Sequence, residues 1–266
     1  MSLLFDADTE QVAVGTMGSW NPNGSPLSAY GWFYPIGTAG NASLFGKNTG
    51  SPLFKSFTFN WRRGGGQTQF NLGRAVTDVT YNYSPHPWTL NAWNFFGVSY
   101  DDGRSANNKV ELYKGTSTSP PTLQTASSNA DGAGAFTDFS SLAMTLGNAF
   151  DGGDEDANGR LGNVTFVDSV ALTLNQFTKA WRGIRPVQTL KGWWELGFNG
   201  TGTQPDWSGN AYNGTVTGAT AAAHVPLDHP FGSWRRAYSF AAAAITMDRW
   251  YLYTSRPAQK RELVTY

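Results

Sequence analysis

The sequence predicts an all-β protein of short antiparallel strands, arranged as a sandwich or a barrel. Three observations carry this. Apolar and polar residues alternate with a period of two in several short segments. Clusters of Gly, Asn, Asp and Pro separate those segments, and Gly alone supplies 31 of the 266 residues. Aromatic residues make up 15% of the chain and charged residues only 14%, against about 25% charged in an ordinary globular chain. Many turn formers and aromatics with few Lys or Glu disfavour helices and favour strands.

In SFTFNW, Phe57, Phe59 and Trp61 point one way while Thr58 and Asn60 point the other. Arg62-Arg63 then lead into Gly64-Gly65-Gly66, a tight strand connection with a basic, solvated tip. In VTYNY, Val79, Tyr81 and Tyr83 share a face. Asp101-Asp102-Gly103 reads as a β-turn. In KVELYK, Val110 and Leu112 face away from Glu111 and Tyr113. Residues 115–139 hold few large apolar side chains and predict a long surface loop with room for one edge strand. NVTFVDSVAL is more continuously apolar and predicts a central strand. LTLNQFTKAWRG (172–183) alone reads helical, one or two turns with Thr173 as N-cap and Gly183 as the stop. After Arg185-Pro186 the character changes: LKGWWELGF, a turn-rich run DWSGNAYNGTVTGA (206–219), a Pro- and His-bearing stretch, then SFAAAAITMDRWYLYTS. The closing RPAQKRELVTY is charged and predicts a frayed arm.

The length allows one large β domain or two smaller ones. A formal net charge of zero argues against nucleic acid as a partner. With no cysteine, disulfides, Cys-based zinc sites and thiol nucleophiles are excluded. MSLLFDADTEQVAVG lacks the basic and apolar regions of a secretory signal. The longest apolar run, FAAAAITM (240–247), is too short to span a membrane, so no membrane role is expected.

Three stretches together resemble the laminin-G-like jelly roll of the concanavalin A-like superfamily: PLSAYGWFYP (26–35), LNAWNFFGVSYDDG…KVELYKG (90–115) and ANGRLGNVTFVDSVALTLNQF (157–177). The resemblance covers residues 1–183 and implies a two-sheet antiparallel β-sandwich. In that family the opening strand holds a Trp and a Gly-Asn turn. Here those pieces stand at the back, in GWWELGFNGTGTQPDWSGNAYNGTVTGA (192–219) and HPFGSWRRAYSF (229–240), while LFDADTEQVAVG (4–15) resembles the remainder. The expected organisation is a sandwich over 1–185 and a C-terminal β extension over 186–266. The extension completes the sandwich in cis, docks on a neighbouring subunit, or stands apart as a small appendage.

DGGDEDANG (151–159) places Asp151, Asp154, Asp156 and Asn158 where oxygen ligands could wrap calcium. The twelfth position of a full loop, which needs Glu, is Thr165, and the same letters also make a plain hairpin turn. Family members do bind calcium on such loops. Glycanases of this fold carry an E-x-D-x-x-E strand, and this chain has none. His86, His224 and His229 sit in loops or beside prolines as surface residues without catalytic partners. Trp20, Trp88, Trp207 and Tyr212 lie between the strands and could stack on sugar rings or on a protein partner; packing into the core is the competing role.

The expected function is non-catalytic binding by a virion-associated protein, a bacteriophage head decoration or fibre-type component. Its partners would be other virion proteins or copies of itself in a homo-oligomer. The alternative is a lectin-like module, with or without calcium, that binds a cell-surface glycan.

Overall fold

The computed structural model describes residues 2–7, 9–37, 41–48, 56–63, 66–148, 157–187 and 189–223. In chain order the strands are β1 (Ser2–Phe5), β2 (Gln11–Ala13), β3 (Leu27–Pro35), β4 (Ala42–Asn48), β5 (Ser56–Arg63), β6 (Gln67–Leu72), β7 (Thr77–Tyr83), β8 (Asn94–Tyr100), β9 (Val110–Thr116), β10 (Thr122–Gln124), β11 (Ser128–Ala133), β12 (Thr145–Leu146) and β13 (Gly159–Asp168). Helix α1 (Leu174–Trp181) follows, then β14 (Gly192–Glu195), β15 (Thr215–Thr217) and β16 (Thr220–Ala222).

Among the described residues these strands form two antiparallel sheets of eight. The first runs β10-β9-β8-β3-β13-β1-β16, and the second β11-β7-β6-β5-β4-β12-β2-β15. One long edge of β13 is shared: β1 pairs with Gly159–Leu161 and β14 with Asn163–Phe166. Consecutive strands occupy both rims. β10 and β11 close one side of the two sheets, and β15 and β16 close the other. The turn-rich run 206–219 therefore feeds strands onto β2 and β1 of the same chain.

Alternation in β5 and β7 follows the expected faces, with Phe57, Phe59, Trp61, Val79, Tyr81 and Tyr83 all buried between the sheets. Phe45 of β4 meets Phe166 of β13 across that space, ring centroids 4.8 Å apart. The first sheet is buried on both faces. Tyr30, Trp32, Phe95 and Tyr113 point outward into a second cluster that α1 covers with Phe177, Ala180 and Trp181. That is why β8, NFFGVSY, is buried at every position. A Cβ on Gly97 would sit 2.6 Å from the Phe177 ring, so a side chain there would lift the helix.

The helix forms as its caps dictate. Thr173 and Gln176 make a reciprocal capping box. At the other end Gly183 takes a left-handed φ of 76°. Ile184 N–H then donates to Lys179 O and Gly183 N–H to Ala180 O, both at 2.9 Å.

One expectation needs correction. The stretch 115–139 holds two edge strands, one on each sheet, rather than a loop with a single strand. β10 and β11 are mostly exposed, and their backbone pairs without burying an apolar face, so no alternation marks them.

Candidate functional site

The inward residues of β4 to β7 leave the alternate set facing out from the second sheet. Register lines these residues up. Ser43 lies opposite Asn60, Asn60 opposite Gln69, Gln69 opposite Asn82, and Asn82 opposite Ser128. One row thus crosses five strands, β4-β5-β6-β7-β11, with an amide or hydroxyl on each. A second row sits one repeat along: Thr58, Asn71, Thr80 and Ala130.

Neutral hydrogen bonds tie the two rows together. Ser43 donates to Asn60 Oδ1. Gln69 Nε2 donates to Asn82 Oδ1 at 2.8 Å, and Asn82 Nδ2 to Ser128 Oγ at 3.1 Å. Thr80 Oγ1 donates to Asn71 Oδ1 at 3.0 Å. Asn71 Nδ2 donates to Gln69 Oε1 at 2.8 Å and more weakly to Thr58 Oγ1 at 3.4 Å. Neither row contains a charged residue. Asn60 Nδ2 is buried and has no hydrogen-bond partner, which breaks the first row between β5 and β6. Each cross-strand pair fixes the rotamer of its neighbour, so the face is held in shape before anything binds.

Trp20 and Trp88 are not on this face or any other. Both are 4% exposed. Trp20 packs edge-on to Phe57 at 5.5 Å. Trp88 packs edge-on to Phe33 at 4.9 Å and donates its indole N–H to Thr68 Oγ1 at 2.7 Å. Both fold over the apolar interior and fill it, so the expectation that they stack on a ligand is corrected.

Trp207 and Tyr212 do share one loop, built around the Asp206 carboxylate. Asp206 Oδ1 accepts from Trp193 N–H and Ser208 N–H at 3.0 and 2.9 Å. Oδ2 accepts from the Ser208 hydroxyl and from Tyr212 N–H at 2.8 and 3.0 Å. This leaves Trp207 43% exposed, edge-on to the 46% exposed Phe198 at 5.3 Å. Tyr212 is half-buried, packs against the main core, and its carbonyl accepts the Trp194 indole N–H at 2.7 Å.

Of the calcium candidates, Asp151, Asp154 and Asp156 lie outside the described residues. Asn158 takes a left-handed φ of 43°, and its side chain packs on Gly37. Among the described residues no three His, Cys, Asp or Glu are grouped to hold a metal ion. His224 and His229 also lie outside. His86 departs from the surface role expected of it. It is half-buried against Trp61 at 5.7 Å, with Nδ1 unpartnered; burial, then the Arg62 charge, holds its imidazole below the usual range.

The turn at Asp101-Gly103 forms as expected, with Arg104 N–H donating to Asp101 O at 3.2 Å. Next to it, Asp102 pairs with Lys109 at 2.7 Å and Arg74 at 3.4 Å. Burial raises its carboxyl, but the Lys109 and Tyr100 donors and the Arg74 charge outweigh it and hold it below the carboxylate range. This carboxylate is engaged in closing the sandwich rim.

The two rows were missed in the sequence because a row exists only once register is known. The signal was present: every outward position of QTQFNL and VTYNY is Asn, Gln or Thr, where Lys and Glu would be ordinary.

No family model matches the chain, and no curated protein matches it. Solved structures do. The chain is similar to a putative carbohydrate binding protein from Bacteroides ovatus ATCC 8483, at 15% identity and a TM-score of 0.54, covering 86% of this chain and 62% of that one. It thus spans less than two thirds of that protein. Further matches are full-length tailspike protein 2 from Escherichia coli O157:H7 bacteriophage CAB120 (14% identity, TM-score 0.45, covering 73% and 30%) and domain 4 of AbnA, a GH43 extracellular arabinanase from Geobacillus stearothermophilus, in complex with arabinotriose (16%, 0.39, 59% and 66%). At such identity the Bacteroides likeness is one of fold.

Proposed function

We propose that this chain is a non-catalytic carbohydrate-binding sandwich of the laminin-G-like, concanavalin A-like kind, and that a neutral glycan lies on the outer face of its second sheet. The observation that carries this is the uncharged, partly exposed portion of the two rows from β6 to β11: Gln69, Asn82 and Ser128 in one, Asn71 and Thr80 in the other. Sugar hydroxyls both donate and accept, and so do amides and hydroxyls of Asn, Gln, Ser and Thr. Neutral groups on both sides avoid the cost of stripping water from a charge. Glycoside hydrolysis needs a facing pair of carboxyl groups, and neither row holds one. The amide donors work without a metal, so binding is expected to survive a chelator.

The proposal extends to context: a bacteriophage virion that displays the module in several copies. The low charge of the chain and the exposed Phe198–Trp207 pair, suited to contact with a neighbouring copy, support this part.

A glycan array with the intact protein, with and without chelator, tests the binding reading; silence across all neutral glycans would overturn it. Mass in solution tests the context: a closed oligomer supports it, and a clean monomer overturns it.

A further inference from the structure

The hydrogen bonds on the partly exposed portion of this face use up its protons unevenly. Asn71 spends both amide protons, one on Gln69 Oε1 at 2.8 Å and one on Thr58 Oγ1 at 3.4 Å. Thr80 spends its hydroxyl proton on Asn71 Oδ1 at 3.0 Å. An amide or hydroxyl oxygen has two lone pairs. What this row still offers is therefore one lone pair on Asn71 Oδ1 and two on Thr80 Oγ1, and no proton. The other row keeps both kinds of group. Gln69 Nε2 and Asn82 Nδ2 each donate once, to Asn82 Oδ1 at 2.8 Å and to Ser128 Oγ at 3.1 Å, and each holds a second proton in reserve. Ala130, opposite Thr80 on β11, has no polar side-chain group to use the Thr80 lone pairs. Asp78, the next residue along the same face of β7, is a further acceptor and takes the Arg74 N–H at 2.9 Å.

We infer that Thr80, oriented by Asn71, is a specificity residue that accepts only a hydrogen-bond donor, so the glycan this face selects carries a free, unsubstituted hydroxyl at that position. This rests on the carbohydrate-binding reading above. The sugar hydroxyl donates to Thr80 Oγ1, whose own proton is already committed to Asn71. Gln69 and Asn82 supply protons to the sugar's other oxygens. A methyl ether, an ester, a sulfate or a carboxylate brings only lone pairs to Thr80. It would displace water from that oxygen and leave it unpaired. Where the group is anionic, the Asp78 carboxylate adds repulsion. A site that hydrogen-bonds a hydroxyl rejects the analogue lacking it far more strongly than an apolar pocket rejects a change of one methylene. Thr80 is half-buried rather than sealed, which sets the expected penalty at about tenfold.

The test uses titration calorimetry on the intact chain with maltotriose, cellotriose, mannotriose, laminaritriose and xylotriose. The tightest binder is then taken through its single-position analogues, each hydroxyl in turn replaced by hydrogen, fluorine or methoxy. Fluorine and methoxy keep an electronegative atom but bring no proton. At one hydroxyl all these replacements should weaken binding about tenfold. Thr80→Val removes the oxygen at nearly the same size. It should bind the parent sugar about tenfold more weakly, and the penalty at that hydroxyl should shrink below about twofold. Thr80→Ser keeps the oxygen and should keep both the affinity and the penalty. Fluorine or methoxy tolerated at every position would overturn the donor requirement and leave carbohydrate binding intact, and this arm needs no variant to fold. A full penalty persisting in folded Thr80→Val would assign the requirement to another residue and overturn the inference in the same way. No binding by any of the parent sugars would overturn both readings.

Discussion

The Lys47 ammonium donates to the Trp20 carbonyl oxygen at 2.6 Å, inside the sandwich, with no solvent exposure. It also reaches Thr16 O at 3.1 Å and Phe139 O at 3.3 Å, so one side chain ties together the loop after β2 and the loop before β12. Carbonyls satisfy its protons but do not neutralise its charge. Burial, and then the Lys191 charge, draw its ammonium down from 10.5 to about 8, against the opposing pull of Asp138.

A pH dependence follows. Between about 8 and 10.5 the folded chain has released this proton while the unfolded chain still holds it. The unfolded state binds more protons there, so stability rises with pH across that window and falls back as pH drops through about 8. The urea midpoint should be higher near pH 9.5 than near 7.5. Lys47→Met should flatten that rise. It should also cost about 1–3 kcal/mol at neutral pH, because three buried carbonyls lose their donor.

Tyrosines set the opposite limit. Burial pushes the Tyr30 hydroxyl up to about 12, and Tyr83, Tyr100 and Tyr113 higher still. Tyr81 is also raised, by burial and by its hydrogen bond to Asp131 at 2.5 Å. Their folded values exceed the ordinary 10, so their contribution is present below that pH and lost as it climbs. Stability should therefore peak near pH 10, and ultraviolet titration should show these phenols ionising only as the chain unfolds. A separate early tyrosine step of five phenols, with the fold intact, would contradict this.

The aromatics that looked alike in the sequence should behave differently. Trp88→Ala should cost about 3–5 kcal/mol, the range for emptying a large core site. It also strips Thr68 of its indole donor. Trp207→Ala should cost under about 1 kcal/mol, because nearly half of that side chain already meets water. Urea titration of the two variants separates them. The solution mass of Trp207→Ala then reports whether the Phe198–Trp207 pair holds copies together.

Asn71 is the joint between the two rows. Asn71→Ala should leave the melting temperature within a few degrees, since its bonds are neutral and half-exposed. It should weaken glycan binding about tenfold, the equivalent of about 1.4 kcal/mol. Asn71→Asp keeps the shape and adds a charge, and it should weaken neutral glycans as much. Calorimetry on the strongest array ligand reads both.

Core strands and the helix were legible because their determinants are local. Phe57, Phe59 and Trp61 repeat every second residue, and Thr173 and Gly183 bracket a helix by backbone chemistry alone. Edge strands such as Thr122–Gln124 bury nothing and leave no pattern. Lys47, between Gly46 and Asn48, gives no local sign of burial. Its environment comes from residues 16–20 and 139, far away in sequence. The site is intermediate. Thr58 and Asn60 were visibly outward-facing, but only the pairing of β4 through β11 turns scattered amides into rows.

The last prediction concerns the strands after Arg185. β15 pairs Val216 with Val12 of β2, β16 pairs Ala221 with Leu3 of β1, and β14 places Trp194 opposite Val164 of β13. Trp194 is fully buried, 6.1 Å from Phe166, as is Leu196 beside it. Ending the chain at Arg185 would open the edges of β1 and β2 together with half of β13, and would uncover the core beneath Trp194. Open strand edges recruit other chains, and each large side chain lost from the core removes about 1.5–3 kcal/mol of burial. With a total stability of roughly 5–15 kcal/mol, the shortened chain should fail to melt cooperatively and should collect in the insoluble fraction. Trp194→Ala in the full chain provides the graded version: it should still fold, yet lose about 3–5 kcal/mol. A shortened chain with the full-length melting temperature would show that β14, β15 and β16 are ornament rather than structure.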